Sequence, residues 1–156
     1  MNLERELDNL LRQGKLKKQK SGLEHVEALL FSAKNNYEAA VMLSGKIDEA
    51  AFKLAYDVLL QIGRSVLLIN GYKPDDGQQH KTTFLVAGYL LGPELTDLVN
   101  RIQKFRIKRN DCVYEPKGLV TKAEMAAIFS AIKEFWAKTK KYLEKKDKQL
   151  RLFDKL

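Results

Sequence analysis

The chain has 156 residues, a formal net charge of +8, one cysteine and two histidines. That length suits one domain with one core, and the lone Cys112 excludes an internal disulfide and fits a reducing compartment. No run approaches the ~18 apolar residues a membrane span needs. The start, Met1-Asn2-Leu3-Glu4-Arg5-Glu6, carries acids where a secretory signal needs bases, so a cytoplasmic protein without membrane association is expected.

Apolar spacing predicts helices almost throughout. A first helix runs from about Leu3 to Arg12, stopped near Gly14, and a basic connector follows from Lys15 to Lys20; residues 1–20 form this leading unit. Ser21-Gly22-Leu23-Glu24 has the spacing of a capping box. The second helix then puts Leu23, Val26, Leu30, Ala33, Tyr37, Ala40 and Val41 on one side and ends near Ser44-Gly45. Asp48 is placed to cap a third helix that reaches Asn70-Gly71. This helix is apolar nearly all round, as befits the centre of a bundle, except for a strip of Glu49, Lys53, Asp57, Gln61 and Arg64. The strip alternates in sign and predicts either a surface ion ladder or a carboxylate turned towards a neighbouring helix.

A turn-rich loop over Tyr72–Gly77 leads to a short helix from about Gln79 to Leu91, closed by Gly92-Pro93. Pro93 opens a fifth helix, which loosens near Val113–Tyr114 because Glu115 precedes Pro116. Thr121-Lys122-Ala123-Glu124 is a second capping box, and a last helix continues to about Lys146 with Ile128, Ile132, Phe135 and Trp136 inward. The expectation is an all-α antiparallel bundle of five to six helices over residues 21–146, with 147–156 a frayed basic tail.

The fifth helix is the chemically distinctive one. At ~100° per residue, Leu95, Leu98, Ile102, Phe105 and Val113 share a face, and Arg109 falls in its middle. A guanidinium there keeps its charge and needs a partner, either a carboxylate such as Asp57 or Glu49, or a bound anion. Arg101, Lys104, Arg106, Lys108 and Arg109 lie within nine residues that hold no acid, a cluster suited to a polyanion. His80, beside Lys81 at a helix start, is an anion-binding candidate; His25 reads as a surface residue and Cys112 as a small buried one. No Gly-rich phosphate loop, His-Glu-x-x-His or cysteine pair is present, so neither metal nor cofactor is expected.

Several segments together resemble the HEPN domain (higher eukaryotes and prokaryotes nucleotide-binding). They are Leu10 to Lys18; Ala50 to Leu68, with its Arg64-x-x-Leu67-Leu68 close; Gly71-Tyr72-Lys73-Pro74 followed by His80-Lys81; and Arg106-Ile107-Lys108-Arg109-Asn110 followed by Tyr114. The chain is similar, from about Leu3 to Tyr142, to small bacterial HEPN proteins with an Arg-Asn motif and a following tyrosine. The resemblance implies a helical bundle, commonly a homodimer, in a toxin–antitoxin or defence system, often beside a nucleotidyltransferase antitoxin. It also implies metal-independent RNA cleavage by an arginine, a polar residue and a histidine. Arg109 and Asn110 match the first two positions, and Tyr114 stands where the histidine belongs. A phenol, with an ordinary pKa of ~10, is a poor base at neutral pH.

Three functions follow. The first is a module binding RNA or nucleotide phosphate through Arg109, Asn110, Arg106, Lys104, Lys108, His80 and Lys81. The second is an endoribonuclease toxin with Arg109 and Tyr114 catalytic. The third is a structural or partner-binding dimer in which Arg109 pairs with Asp57 or Glu49.

Overall fold

The computed structural model describes residues 2–114 and 120–153, with only the backbone of Val113 and Tyr114. Six helices follow one another: α1 (Leu3–Arg12), α2 (Leu23–Leu43), α3 (Asp48–Ile69), α4 (Gln79–Leu91), α5 (Thr96–Tyr114) and α6 (Lys122–Lys146). A single turn of tighter helix over Pro93–Leu95 leads into α5. The all-α bundle is as the apolar spacing predicts. No helix among the described residues is long and apolar enough to cross a membrane.

α3 is the central rod and contacts α2, α4, α5 and α6. Its Phe52, Ala55, Tyr56, Leu59, Ile62 and Val66 are fully buried. From α5, Leu98 and Ile102 join this core; from α6, Ile128, Ile132, Phe135 and Trp136 do. Two glycines set how closely α4 is clasped. A Cβ on Gly63 of α3 would lie 3.1 Å from Thr83 Cγ2, and one on Gly88 of α4 would lie 3.0 Å from Val99 Cγ2 of α5. The missing side chains let α4 sit tightly between α3 and α5, which fixes the position of His80 in its first turn.

Several local expectations are revised. The basic connector forms a short strand, β1 (Leu16–Lys18), antiparallel to β2 (Tyr72–Pro74), with Leu16 opposite Pro74 and Lys18 opposite Tyr72. Leu16 is buried together with Leu7 and Leu10, so residues 1–20 belong to the same core as the rest. Ser21 makes no capping box: α2 starts after Gly22 without a side-chain cap, and Ser21 Oγ turns to the Gly22 carbonyl. Asp48 does not cap α3 either. It lies inside the first turn, where its carboxylate accepts the Gly45 N–H at 2.6 Å. The second capping box is complete, with Thr121 Oγ1 accepting the Glu124 N–H and Glu124 Oε1 accepting the Thr121 N–H. The end of the chain, read as fraying, instead turns back onto the bundle as far as Phe153. That ring stacks on Trp136 at 4.3 Å, and the Arg151 N–H donates to Glu27.

Candidate anion-binding site

The site forms where the start of α4 meets the second half of α5. Gln103, Arg106 and Asn110 recur at helical spacing on one side of α5. Arg106 Nε donates to Gln103 Oε1 at 2.9 Å, and Gln103 Nε2 donates to the Lys81 carbonyl at 3.2 Å. This amide ties the two helices together and orients the guanidinium. Asp76 secures the turn before α4, accepting from the Gln78 N–H at 3.3 Å and from Thr82 Oγ1 at 2.8 Å. Between these elements lies a cleft of about 410 Å³, lined by the Gly77–Gln79 turn, His80, Lys81, Arg106 and Asn110. The uncapped start of α4 adds the positive end of a helix dipole to that wall.

Arg109 lies one layer deeper. Its Cζ is 5.8 Å from the centroid of the Tyr56 ring, a cation–π arrangement. Its Nε is buried and has no hydrogen-bond partner. Neither Asp57 nor Glu49 forms an ion pair with it, nor does any other carboxylate among the described residues. Asp57 is near enough for its charge to be felt: burial raises its pKa, while Arg109 and then Arg64 pull it back. Glu49 sits instead within electrostatic reach of Cys112. Of the two readings of the α3 strip, the ion ladder does not form among the described residues: Glu49, Lys53, Asp57 and Arg64 make no ion pair with one another, and Gln61 bonds to Asn36 and Ser32.

Tyr56 links the two layers. Its ring is wholly buried, and its hydroxyl lies 3.1 Å from His80 Nδ1 with the rings 5.7 Å apart. Burial holds the phenol far above its usual range and lowers the imidazole pKa. The cations Arg64, Arg109 and Arg106 depress the imidazole further. Arg64 makes no hydrogen bond or ion pair with the described residues; it lines a second cleft of about 290 Å³ that shares Gln79 with the first.

The predicted residues therefore divide. His80, Lys81, Arg106 and Asn110 meet in one cleft, with Arg109 behind them. Lys108 turns to α6, where it pairs with Glu124 at 3.4 Å, and Arg101 pairs with Glu134 at 2.7 Å. Lys104, exposed, shares their side of α5 by helical spacing. The Tyr114 side chain lies outside the described residues, as do Glu115 and Pro116. Cys112 is buried, as expected for a small packed residue, and burial raises its thiol pKa, which disfavours the thiolate. Among the described residues no group of His, Cys, Asp or Glu is arranged to hold a metal ion. Tyr56, Arg64 and Gln103 are the site residues that sequence reading missed. Tyr56 offered one signal: a phenol in an otherwise apolar helix needs a polar partner.

Comparison of the chain with protein-family models, with curated proteins and with solved structures finds no match.

Proposed function

We propose that this chain is a HEPN-type module that binds RNA or a nucleotide through its phosphate. The phosphate enters the cleft between α4 and α5, where Arg106, Asn110, His80 and Lys81 supply donors and Arg109 supplies charge from behind. The observation that carries the reading is Arg109 itself. A half-buried guanidinium has a buried Nε without a partner, and no carboxylate forms an ion pair with it among the described residues. Buried charges normally have a counter-charge, so an anion in the neighbouring cleft is the natural complement of this guanidinium's charge. The helical bundle agrees with the HEPN resemblance. A toxin–antitoxin or defence setting, a nucleotidyltransferase partner and a homodimer rest on that resemblance alone.

The test is one comparison of wild type and Arg109→Ala, with single-stranded RNA binding measured across salt and RNA cleavage measured in chelator. Wild type is expected to bind with an affinity that falls steeply with salt. Arg109→Ala should bind roughly tenfold more weakly, the worth of a nearby charge that makes no direct hydrogen bond. Absence of RNA binding at low salt, or an affinity indifferent to salt, rejects the reading. Chelator-resistant cleavage lost in Arg109→Ala replaces it with a nuclease.

A further inference from the structure

We propose that Tyr56 holds His80 as the Nε2–H tautomer, making the imidazole a fixed, neutral hydrogen-bond donor to a phosphate oxygen in the cleft rather than a carrier of protons. The inference rests on the anion-binding reading above and adds to it a positioning residue, Tyr56, and a chemical role for His80.

The argument is an inventory of donors. The Tyr56 side chain is fully buried, so solvent cannot take its hydroxyl proton. Among the described residues that hydroxyl has one hydrogen-bond partner, His80 Nδ1 at 3.1 Å. If Nδ1 carried a proton and donated to the phenol oxygen, the phenol proton would be buried without an acceptor. If the phenol donates to Nδ1, both groups are satisfied. The second arrangement leaves the imidazole proton on Nε2. That nitrogen has no hydrogen bond to the described residues, and His80 lines the cleft with Lys81, Arg106 and Asn110. A ring whose Nε2–H has no acceptor among the described residues thus lines the same cleft as a guanidinium and an ammonium.

The surrounding charges keep this state neutral. Arg64 and Asp57 on α3, and Arg106 and Arg109 on α5, all act on the Tyr56–His80 pair. Three cations against one carboxylate oppose a further proton on the ring. A neutral Nε2–H cannot take a proton from a ribose hydroxyl, since its lone pair is already on Nδ1 and engaged. The pair therefore suits holding a phosphate and not cleaving its ester.

Histidine ring NMR on the whole chain, with inorganic phosphate and then a short single-stranded RNA as probes, tests this. In wild type the His80 carbon and nitrogen shifts should report the Nε2–H tautomer, and phosphate should move Nε2. Tyr56→Phe should release the ring into a mixture of tautomers and weaken phosphate binding severalfold. His80→Gln, whose amide can place an N–H near the Nε2 position without acid–base chemistry, should stay within about threefold of wild type, whereas His80→Ala should lose roughly tenfold. An Nδ1–H ring in a wild type that does bind phosphate overturns this inference and leaves the anion site standing. His80→Gln binding as poorly as His80→Ala also overturns it. A locked Nε2–H ring that no phosphate or RNA perturbs overturns the donor role together with the anion-binding reading.

Discussion

Arg109 shows how a residue's partners decide what its loss costs. An arginine locked to a buried carboxylate leaves an uncompensated charge when removed, about 3–5 kcal/mol. Arg109 has no such ion pair among the described residues, and its charge lies over the Tyr56 ring. Arg109→Ala is therefore expected to lower unfolding free energy by about 2 kcal/mol, the scale of a desolvated cation–π contact, while phosphate binding weakens roughly tenfold. Urea denaturation beside an RNA titration reads both. The titratable neighbours give a second expectation. His80 has a folded pKa below its ordinary 6.5, through burial first and then Arg64, Arg109 and Arg106. As pH falls from about 6.5 the unfolded chain takes up this proton before the folded one, so stability drops through that window. Asp57, raised above its ordinary 3.8, works in the opposite sense: its folded form holds the proton longer, so its contribution weakens as pH rises. Denaturation between about pH 5 and pH 7.5 should show the His80 slope in wild type and a flatter line in His80→Gln. Asp57→Asn should tighten phosphate binding in the same RNA titration, because it removes a carboxylate whose charge acts against those of Arg109 and Arg64.

At the level of elements, α4 is held by absence of side chains. Gly63→Val would drive a branched side chain into Thr83 Cγ2, 3.1 Å from an ideal Cβ. Overpacking of this kind costs about 1–3 kcal/mol and would push the first turn of α4, with His80, away from Tyr56. Thr83→Ser removes the clashing methyl, so the double variant should recover part of the loss; additive costs in urea denaturation would show that the two do not meet. The helices themselves were legible because their apolar spacing is dense and their stops are glycines and prolines. Gln79 to Leu91 and the end at Lys146 fall where the spacing places them. The Thr121 box was legible for the same local reason. Ser21 offers an equally good pattern, yet α2 starts one residue later, because a cap is set by the entry direction of the chain as well as by its letters. β1 was not legible: it has one apolar residue between basic ones, and its partner lies on the far side of two long helices in sequence. Most of the candidate site was visible, because Arg106, Arg109 and Asn110 share one stretch and His80 and Lys81 stand together at a helix start. Tyr56 and Arg64 were hidden among core and strip residues of α3, and only tertiary packing brings them to His80.

For the molecule as a whole, the net charge of +8 matters less than where it is left uncancelled. Five of the cations are answered locally: Lys17 by Asp75, Lys34 by Glu38, Arg101 by Glu134, Lys108 by Glu124 and Lys140 by Glu144. Such pairs contribute little to stability, but they remove charge from the field that an approaching polyanion meets. Arg64, Arg106 and Arg109 have no ion pair among the described residues, and all three act on the start of α4. These three guanidiniums converge on His80, which lines the cleft, so the anion-binding reading predicts that RNA is held by a few phosphates there rather than along the whole basic surface. A single strand with two or three phosphates neutralised gives a slope of log affinity against log salt of about −1.5 to −2. Arg106→Ala should flatten that slope by roughly one contact's worth, whereas Arg101→Ala, on the side of α5 turned to α6, should leave it unchanged. Equal flattening by the two variants would mean that RNA is spread over the basic face of α5, and would remove the cleft as the place where phosphate is held.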